Sequence, residues 1–249
     1  MTTSMSQRWV RTPLKAVGRP VTRRVNDAQD RRRGIPVPPW SLRSQVPGDF
    51  RKAGRQFSGH LVDLGGLSPH DRVLDIGCRV GRLGIPLTGY LAADAHYEGV
   101  DDWPDGTAWC QATITSRYPQ FGFRQIDMEG PGGSAAPPPL PYADGSFDFV
   151  IFGSILQLSP GGFDHFVREA ARVTRPGGTY FGTWYLRNES RPPGAGQVGP
   201  AITCREAEAR QRLESVGLGV VAVHRGSWDG HERPLSHQDV VIARRKSDG

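Results

Sequence analysis

The sequence predicts an α/β fold: a doubly wound, mostly parallel β-sheet with helices on both faces. Three observations predict it. Short apolar runs recur at 73–76, 97–101, 121–127 and 147–152, and buried parallel strands read this way. Helical stretches alternate with these runs, which calls for βαβ crossovers. Finally, Val73-Leu-Asp-Ile76 passes directly into the glycine-rich segment Gly77 to Gly84 and then into an apolar stretch, Leu83 to Leu91. That is a buried strand turning tightly into a helix.

The elements follow in order. Residues 1–48 form a basic N-terminal arm rich in Arg and Pro, including Arg31-Arg-Arg33 and Pro36-Val-Pro-Pro39. Little regular structure is expected there beyond a short helix near 5–17, while Trp40, Leu42 and Val46 pack on the core or over the mouth of a site. Residues 49–246 form the α/β domain. Asp49 caps a helix running to about Leu64, and Gly65-Gly66 ends it. Pro104 suits the first turn of the helix after the second strand. Residues 128–146 are a long, breaker-rich loop, and loops of that length are usually functional or mobile. A helix around Phe166 ends before Pro176-Gly-Gly178, and Thr179 to Leu186 is the fifth strand. Residues 187–202 are a second irregular stretch. Thr203-Cys-Arg-Glu206 reads as a capping box opening a helix to about Val216, closed by Gly217. Leu218–His224 and Gln238–Ala243 complete seven strands.

The junction at 73–84 is a nucleotide-type cofactor site. Glycines let backbone approach a ligand and tolerate positive φ, and a following helix offers unpaired N–H groups. The NAD fingerprint requires G-x-G-x-x-G, and the spacing Gly77, Gly81, Gly84 does not supply it. The segment instead resembles the Asp-x-Gly-x-Gly-x-Gly motif of class I S-adenosylmethionine-dependent methyltransferases. Asp75, Gly77 and Gly81 match; Arg79 stands where the family usually has its middle glycine. The resemblance runs over about residues 55–190 and includes Tyr97-Glu-Gly-Val-Asp101, Phe121 to Asp127, Phe147 to Phe152 and the Pro-Gly-Gly turn.

This resemblance implies a three-layer, Rossmann-like, seven-stranded sheet with an antiparallel last strand, and S-adenosyl-L-methionine as cofactor. It implies that Asp101 accepts both ribose hydroxyls, as a carboxylate can, and that Asp127 accepts from the adenine amino group with Met128 beside the ring; the end of the fourth strand, Gly153-Ser-Ile-Leu-Gln157, is expected to face the methyl group because α/β sheets place ligands at strand carboxyl ends. Asp75, Gly77, Cys78, Arg79 and Gly81 form the loop around the cofactor. Arg79 is expected either to pair with the cofactor's methionine carboxylate or to turn to solvent.

Composition narrows the partners. The net charge of +6 is uneven. Residues 1–55 carry 13 Lys and Arg against Asp27, Asp30 and Asp49, a local balance of +10 that leaves −4 for the rest. The arm could touch an anionic surface, but its only aromatic residues before the domain are Trp9 and Trp40, which argues against nucleic acid. A mean hydropathy of −0.45 and the lack of a membrane-length apolar run fit a cytoplasmic protein. No hydrophobic segment and cleavage site follow the basic N-terminus. Cys78, Cys110 and Cys204 lack C-x-x-C spacing and read as unpaired thiols; no metal site is expected.

Methyl transfer is an in-line displacement at an activated carbon, so placement dominates and a fixed catalytic motif is often absent. Gln157, near the fourth-strand end, cannot act as a base at neutral pH and is expected to orient the acceptor. His165 is the other catalytic candidate; His224, His231, His237, Tyr90 and Tyr185 read as structural. The expected reaction is methyl transfer to an oxygen of a small molecule: a sugar, a lipid or a secondary metabolite. The alternatives are a cofactor-binding module without activity, with Arg79 and Gln157 as its departures, and an RNA methyltransferase using the basic arm.

Overall fold

The computed structural model describes residues 34–46, 48–130, 137–153, 158–187, 203–227 and 237–247. The expected helix near 5–17, most of the loop at 187–202, Gln157 and His231 lie outside these residues. The chain divides into two compact units, Met1–Val37 and Pro38–Gly249. In the second, a helical turn α1 (Trp40–Arg43) precedes the buried Val46. Residues 38–48 therefore belong to the larger unit, although the sequence groups them with the arm.

Seven strands form one sheet: β1 (Arg72–Ile76), β2 (His96–Asp101), β3 (Phe121–Gln125), β4 (Phe147–Phe152), β5 (Thr174–Trp184), β6 (Leu218–His224) and β7 (Asp239–Arg245). Their order is β3-β2-β1-β4-β5-β7-β6. All neighbours are parallel except β7, which runs antiparallel to both β5 and β6. This is the three-layer, doubly wound arrangement read from the sequence. Successive β1 residues point to opposite faces. Val73 joins the core under α2 (Phe50–Asp63), α3 (Gly84–Leu87) and α4 (Pro104–Cys110). Leu74 and Ile76 join the core under α5 (Pro160–Val173) and α6 (Glu206–Ser215).

Local chemistry sets the element ends. The Asp49 side chain accepts from the Lys52 N–H at 3.0 Å, capping α2, and Ser159 caps α5 through the Gly162 N–H at 3.1 Å. Pro104 occupies the first turn of α4, which continues as a single π-helical turn, Gln111–Thr115.

Three expectations are corrected. The helix read from Leu83 to Leu91 is one turn, α3. Pro86 supplies no N–H there, and Gly89 weakens any continuation. The capping box at Thr203–Glu206 is displaced by two residues: Arg205 is the N-cap, its N–H donating to Glu208 Oε2 at 3.0 Å. Cys204 is held instead by a short bridge to Leu186. The Pro176-Gly-Gly178 turn lies within β5 as an irregularity, with Gly177 at φ 75°.

Two polar residues fasten the loops. Arg172 on α5 donates to Leu140 O, Tyr142 O and Asp144, and is paired with Glu169, which also accepts from the Leu140 N–H. Asp239, fully buried at the start of β7, accepts from the Leu186 N–H at 2.7 Å and the Gly226 N–H at 2.9 Å.

Candidate functional site

The sheet order reverses at β1, whose partners β2 and β4 wind outward in opposite directions. Ligands of open α/β sheets bind beyond the strand carboxyl ends at such a point. Here it is framed by the loop after β1, the end of β2 and Gly153 after β4. The Gly153 N–H donates to Ile76 O at 3.0 Å, stitching the ends of β4 and β1. A Cβ on Gly153 would meet no atom of the described residues within 4 Å.

The β1 loop is shaped by backbone. Gly77 and Gly81 adopt φ 87° and φ 70°, values that a glycine takes without strain. The N–H groups of Gly77 and Cys78 converge on Val100 O at 2.8 and 3.1 Å, binding the loop to β2. A Cβ on Gly81 would come within 2.9 Å of Ile114 Cδ1 and 3.1 Å of Cys110 Sγ, so the turn is pressed against the helix that follows β2.

Asp101 sits at the end of β2 and is 1% exposed. Its Oδ2 accepts from the Arg79 N–H at 2.8 Å and its Oδ1 from the Trp103 N–H at 3.0 Å. Burial raises its pKa, opposed by the Arg79 N–H, the Arg79 guanidinium and the Trp103 N–H. Asp75 lies beneath the loop rather than at its surface. It is buried, accepts from the Tyr97 hydroxyl at 2.6 Å, and burial pushes its pKa up to about 7 against the pull of Tyr97 and Arg82. Cys78 is buried too; desolvation, reinforced by the Asp75 and Asp101 carboxylates, raises its thiol well above the ordinary range and keeps it neutral.

Of the two courses expected of Arg79, the turn to solvent is not taken. Arg79 is the one non-glycine residue at positive φ, 54°, among the described residues. Its guanidinium is not turned to solvent: it lies 4.9 Å from the centre of the Trp103 ring, with NH1 3.7 Å from Asp101 Oδ1 and 4.0 Å from Asp102 Oδ1. Two carboxylates and an aromatic face outcompete solvent for a planar cation.

Asp127 lies just past β3 and is exposed; its Oδ1 accepts from the N–H groups of Glu129 and Gly130 at 3.1 and 2.8 Å. Met128 is buried in the core on the α5 side. Glu129 Oε1 accepts from the Ser159 N–H at 3.1 Å, linking the turn after β3 to the start of α5. His165, on α5, makes a 3.2 Å hydrogen bond to Pro138 O. Sequence reasoning missed Tyr97, Trp103 and Glu129, whose contacts depend on the loops and strands brought beside them; an aromatic residue two places after a strand-end acid is the one signal that was available. A cavity of about 320 Å³ lined by Arg168, Arg172 and Arg245 lies at the amino ends of β4 and β5, the opposite end of the sheet. No metal-ligating cluster occurs among the described residues.

Residues 73–178 match the family model described as a methyltransferase domain. The matched stretch, less than half of the chain, holds the β1 loop, Asp101 and β4, so over these residues the chain is similar to methyltransferase domains. The chain is 31% identical over 184 residues to the 27-O-demethylrifamycin SV methyltransferase of Amycolatopsis mediterranei, covering 70% of this chain and 56% of that protein. It is 33% identical over 115 residues to the arsenite methyltransferase of Aquipseudomonas alcaligenes, covering 46% and 33% respectively. The chain thus spans between a third and just over half the length of these curated relatives. Among solved structures, the [4+2]-cyclase SpnF matches with a TM-score of 0.58 at 18% identity, over 78% of this chain and 81% of that one. At that identity the likeness concerns the fold alone, and a cyclase on this fold shows that the fold does not fix the reaction.

The residues fit the cofactor's chemistry. Two positive-φ glycines let backbone come close, a carboxylate stands at the end of β2 for a diol, and no described residue comes within 4 Å of a Cβ on Gly153.

Proposed function

We propose that this chain transfers the methyl group of S-adenosylmethionine to an oxygen of a small-molecule acceptor. The observation that carries the reading is the junction of the β1 loop with Asp101 at the switch point, 2.8 Å from the Arg79 N–H to Asp101 Oδ2. Asp101 would hold the ribose hydroxyls, Gly77 and Gly81 would let the loop approach the cofactor, and Asp127 and Met128 would border the adenine. Asp75, held by the Tyr97 hydroxyl, would stand at the head of the cofactor loop. The bound cofactor supplies a methyl carbon activated by its sulfonium. The chain's contribution is to align an acceptor oxygen in front of Gly153 and to exclude water, which is the larger part of such a reaction's demand on a protein.

Gln157, outside the described residues, would orient the acceptor without removing its proton. His165, the other candidate, makes a hydrogen bond to Pro138 O, and a part in catalysis would require that contact to break. The choice of oxygen is supported by the rifamycin relative, which overlaps 70% of the chain.

Calorimetric titration with S-adenosylhomocysteine tests the first half. Wild type is expected to bind, and Asp101→Ala to bind about 10–150-fold more weakly through loss of a charge-assisted bidentate contact. A folded wild type that does not bind refutes the reading. Transfer of labelled methyl to a panel of hydroxyl-bearing acceptors tests the second half; binding without transfer to any of them would favour the module without activity. The expected contact of the basic arm with an anionic surface falls mostly on residues outside those described.

A further inference from the structure

Arg79 is the residue of this site that the family pattern does not explain. Its backbone is in the left-handed region, where a side chain costs about 1 kcal/mol, yet the surroundings are built to receive it. The N–H caps Asp101, and the guanidinium spans Asp101 and Asp102 over Trp103. Position 106 is a glycine whose Cβ would stand 2.9 Å from the Arg79 carbonyl and 2.9 Å from the Trp103 ring. The Arg79 side chain is 16% exposed and that of Asp101 1%. The carboxylate suited to a vicinal diol is therefore buried, with the cation of the same loop 3.7 Å from its Oδ1 and partly neutralising it.

We propose that Arg79 is a placeholder for the cofactor's ribose: its guanidinium occupies the Asp101 carboxylate in the free chain and must leave it when the diol binds. This rests on the cofactor reading above. A guanidinium and a diol compete for one acceptor, so the apparent affinity for the cofactor is the intrinsic affinity reduced by the fraction of molecules in which Arg79 has swung away. Arg79 thereby sets how tightly the ribose end is held. Asp102 and Trp103 strengthen the covered state, since they hold the guanidinium without offering the diol a second carboxylate at the same point.

The test measures binding of two probes, S-adenosylhomocysteine and adenosine, to the full chain. Both carry the ribose diol; only the first carries the amino-acid carboxylate. Arg79→Gln removes the cation but keeps a non-glycine residue at positive φ, so backbone relief does not enter. Arg79→Gly is the second variant and suits the left-handed backbone if the first does not fold. Both variants are expected to bind both probes about 3–10-fold more tightly than wild type. Binding by the variants where wild type shows none would mean that Arg79 blocks the pocket outright, and would overturn the placeholder together with the reading of an active enzyme. Weaker binding of S-adenosylhomocysteine with unchanged adenosine would mean that Arg79 pairs with the amino-acid carboxylate instead, and would overturn the proposal. Unchanged affinity for both probes would overturn it as well. If neither wild type nor variants bind either probe, the cofactor reading itself fails and takes the placeholder with it.

Discussion

Asp75 places an ionisable carboxyl in the interior, and Asp75→Asn exposes what that costs. Burial raises the Asp75 pKa from the usual 3.8 to about 7, with the Asp101 charge adding to burial while Tyr97 and Arg82 oppose it. The folded state then holds a proton that the unfolded chain has released, from about pH 4 up to about pH 7. Over that window stability falls as pH rises; below it the contribution is constant, and above it the full penalty applies. About three pH units at about 1.4 kcal/mol each set a ceiling of about 4 kcal/mol. Asn approximates the protonated side chain and can still accept from Tyr97, but its amide N–H groups need partners and cost about 1–3 kcal/mol if they find none. The stability of Asp75→Asn relative to wild type is therefore expected to rise by about 3 kcal/mol between pH 5 and pH 8, leaving the variant more stable at pH 8. Urea melts of both proteins at four pH values in that range measure it, with thermal melts as a check at about 2–4 °C per kcal/mol. A difference between the two proteins that stays constant across the range would refute the reasoning, since it would mean that Asp75 does not titrate between the folded and unfolded states.

Other consequences are open to direct measurement. Gly81→Ala puts a methyl group against Ile114 and Cys110 at φ 70°; a loss of about 1–3 kcal/mol is expected by denaturant melt, together with weaker cofactor binding. Asp239→Asn turns a two-oxygen acceptor for the Leu186 and Gly226 N–H groups into one with a donor facing a donor, and is expected to cost about 2–4 kcal/mol in the same assay. A chain beginning at Pro38 is expected to keep a single cooperative transition and its affinity for S-adenosylhomocysteine, because Pro38–Gly249 is compact in itself; loss of either would show that the preceding residues contribute to the domain.

The frame of the sheet was legible because buried strands announce themselves in a single sequence. Phe147–Phe152 has the same bounds in sequence and structure, and Asp49 stands at the head of its helix as a capping residue should. The misreadings occur where one local signal met a stronger one. Leu83–Leu91 has the apolar content of a helix, but Pro86 and Gly89 cut it to a turn. Thr203 and Glu206 have capping-box spacing, but Cys204 is engaged by Leu186 and Arg205 takes the cap with Glu208. At the site, the strand-end acids could be found by position. Their surroundings could not, because Tyr97 reaches Asp75 across neighbouring strands and the orientation of Arg79 depends on a tryptophan after another strand.

The two N–H groups that meet on Asp239 belong to the ends of different connections: one leaves β5 toward residues 188–202, the other leaves β6 toward residues 228–236. A single interior carboxylate thus anchors the roots of two connections to the first residue of the strand that pairs antiparallel with both β5 and β6. Anchoring of this kind separates inheritance of the fold from inheritance of the loops. Descendants of such a chain can exchange, lengthen or recompose either stretch while the sheet keeps its register, so long as the carboxylate and its two donors persist. For recombination experiments, the natural crossover points are Leu186 and Gly226, with Asp239 carried along from whichever parent supplies the sheet.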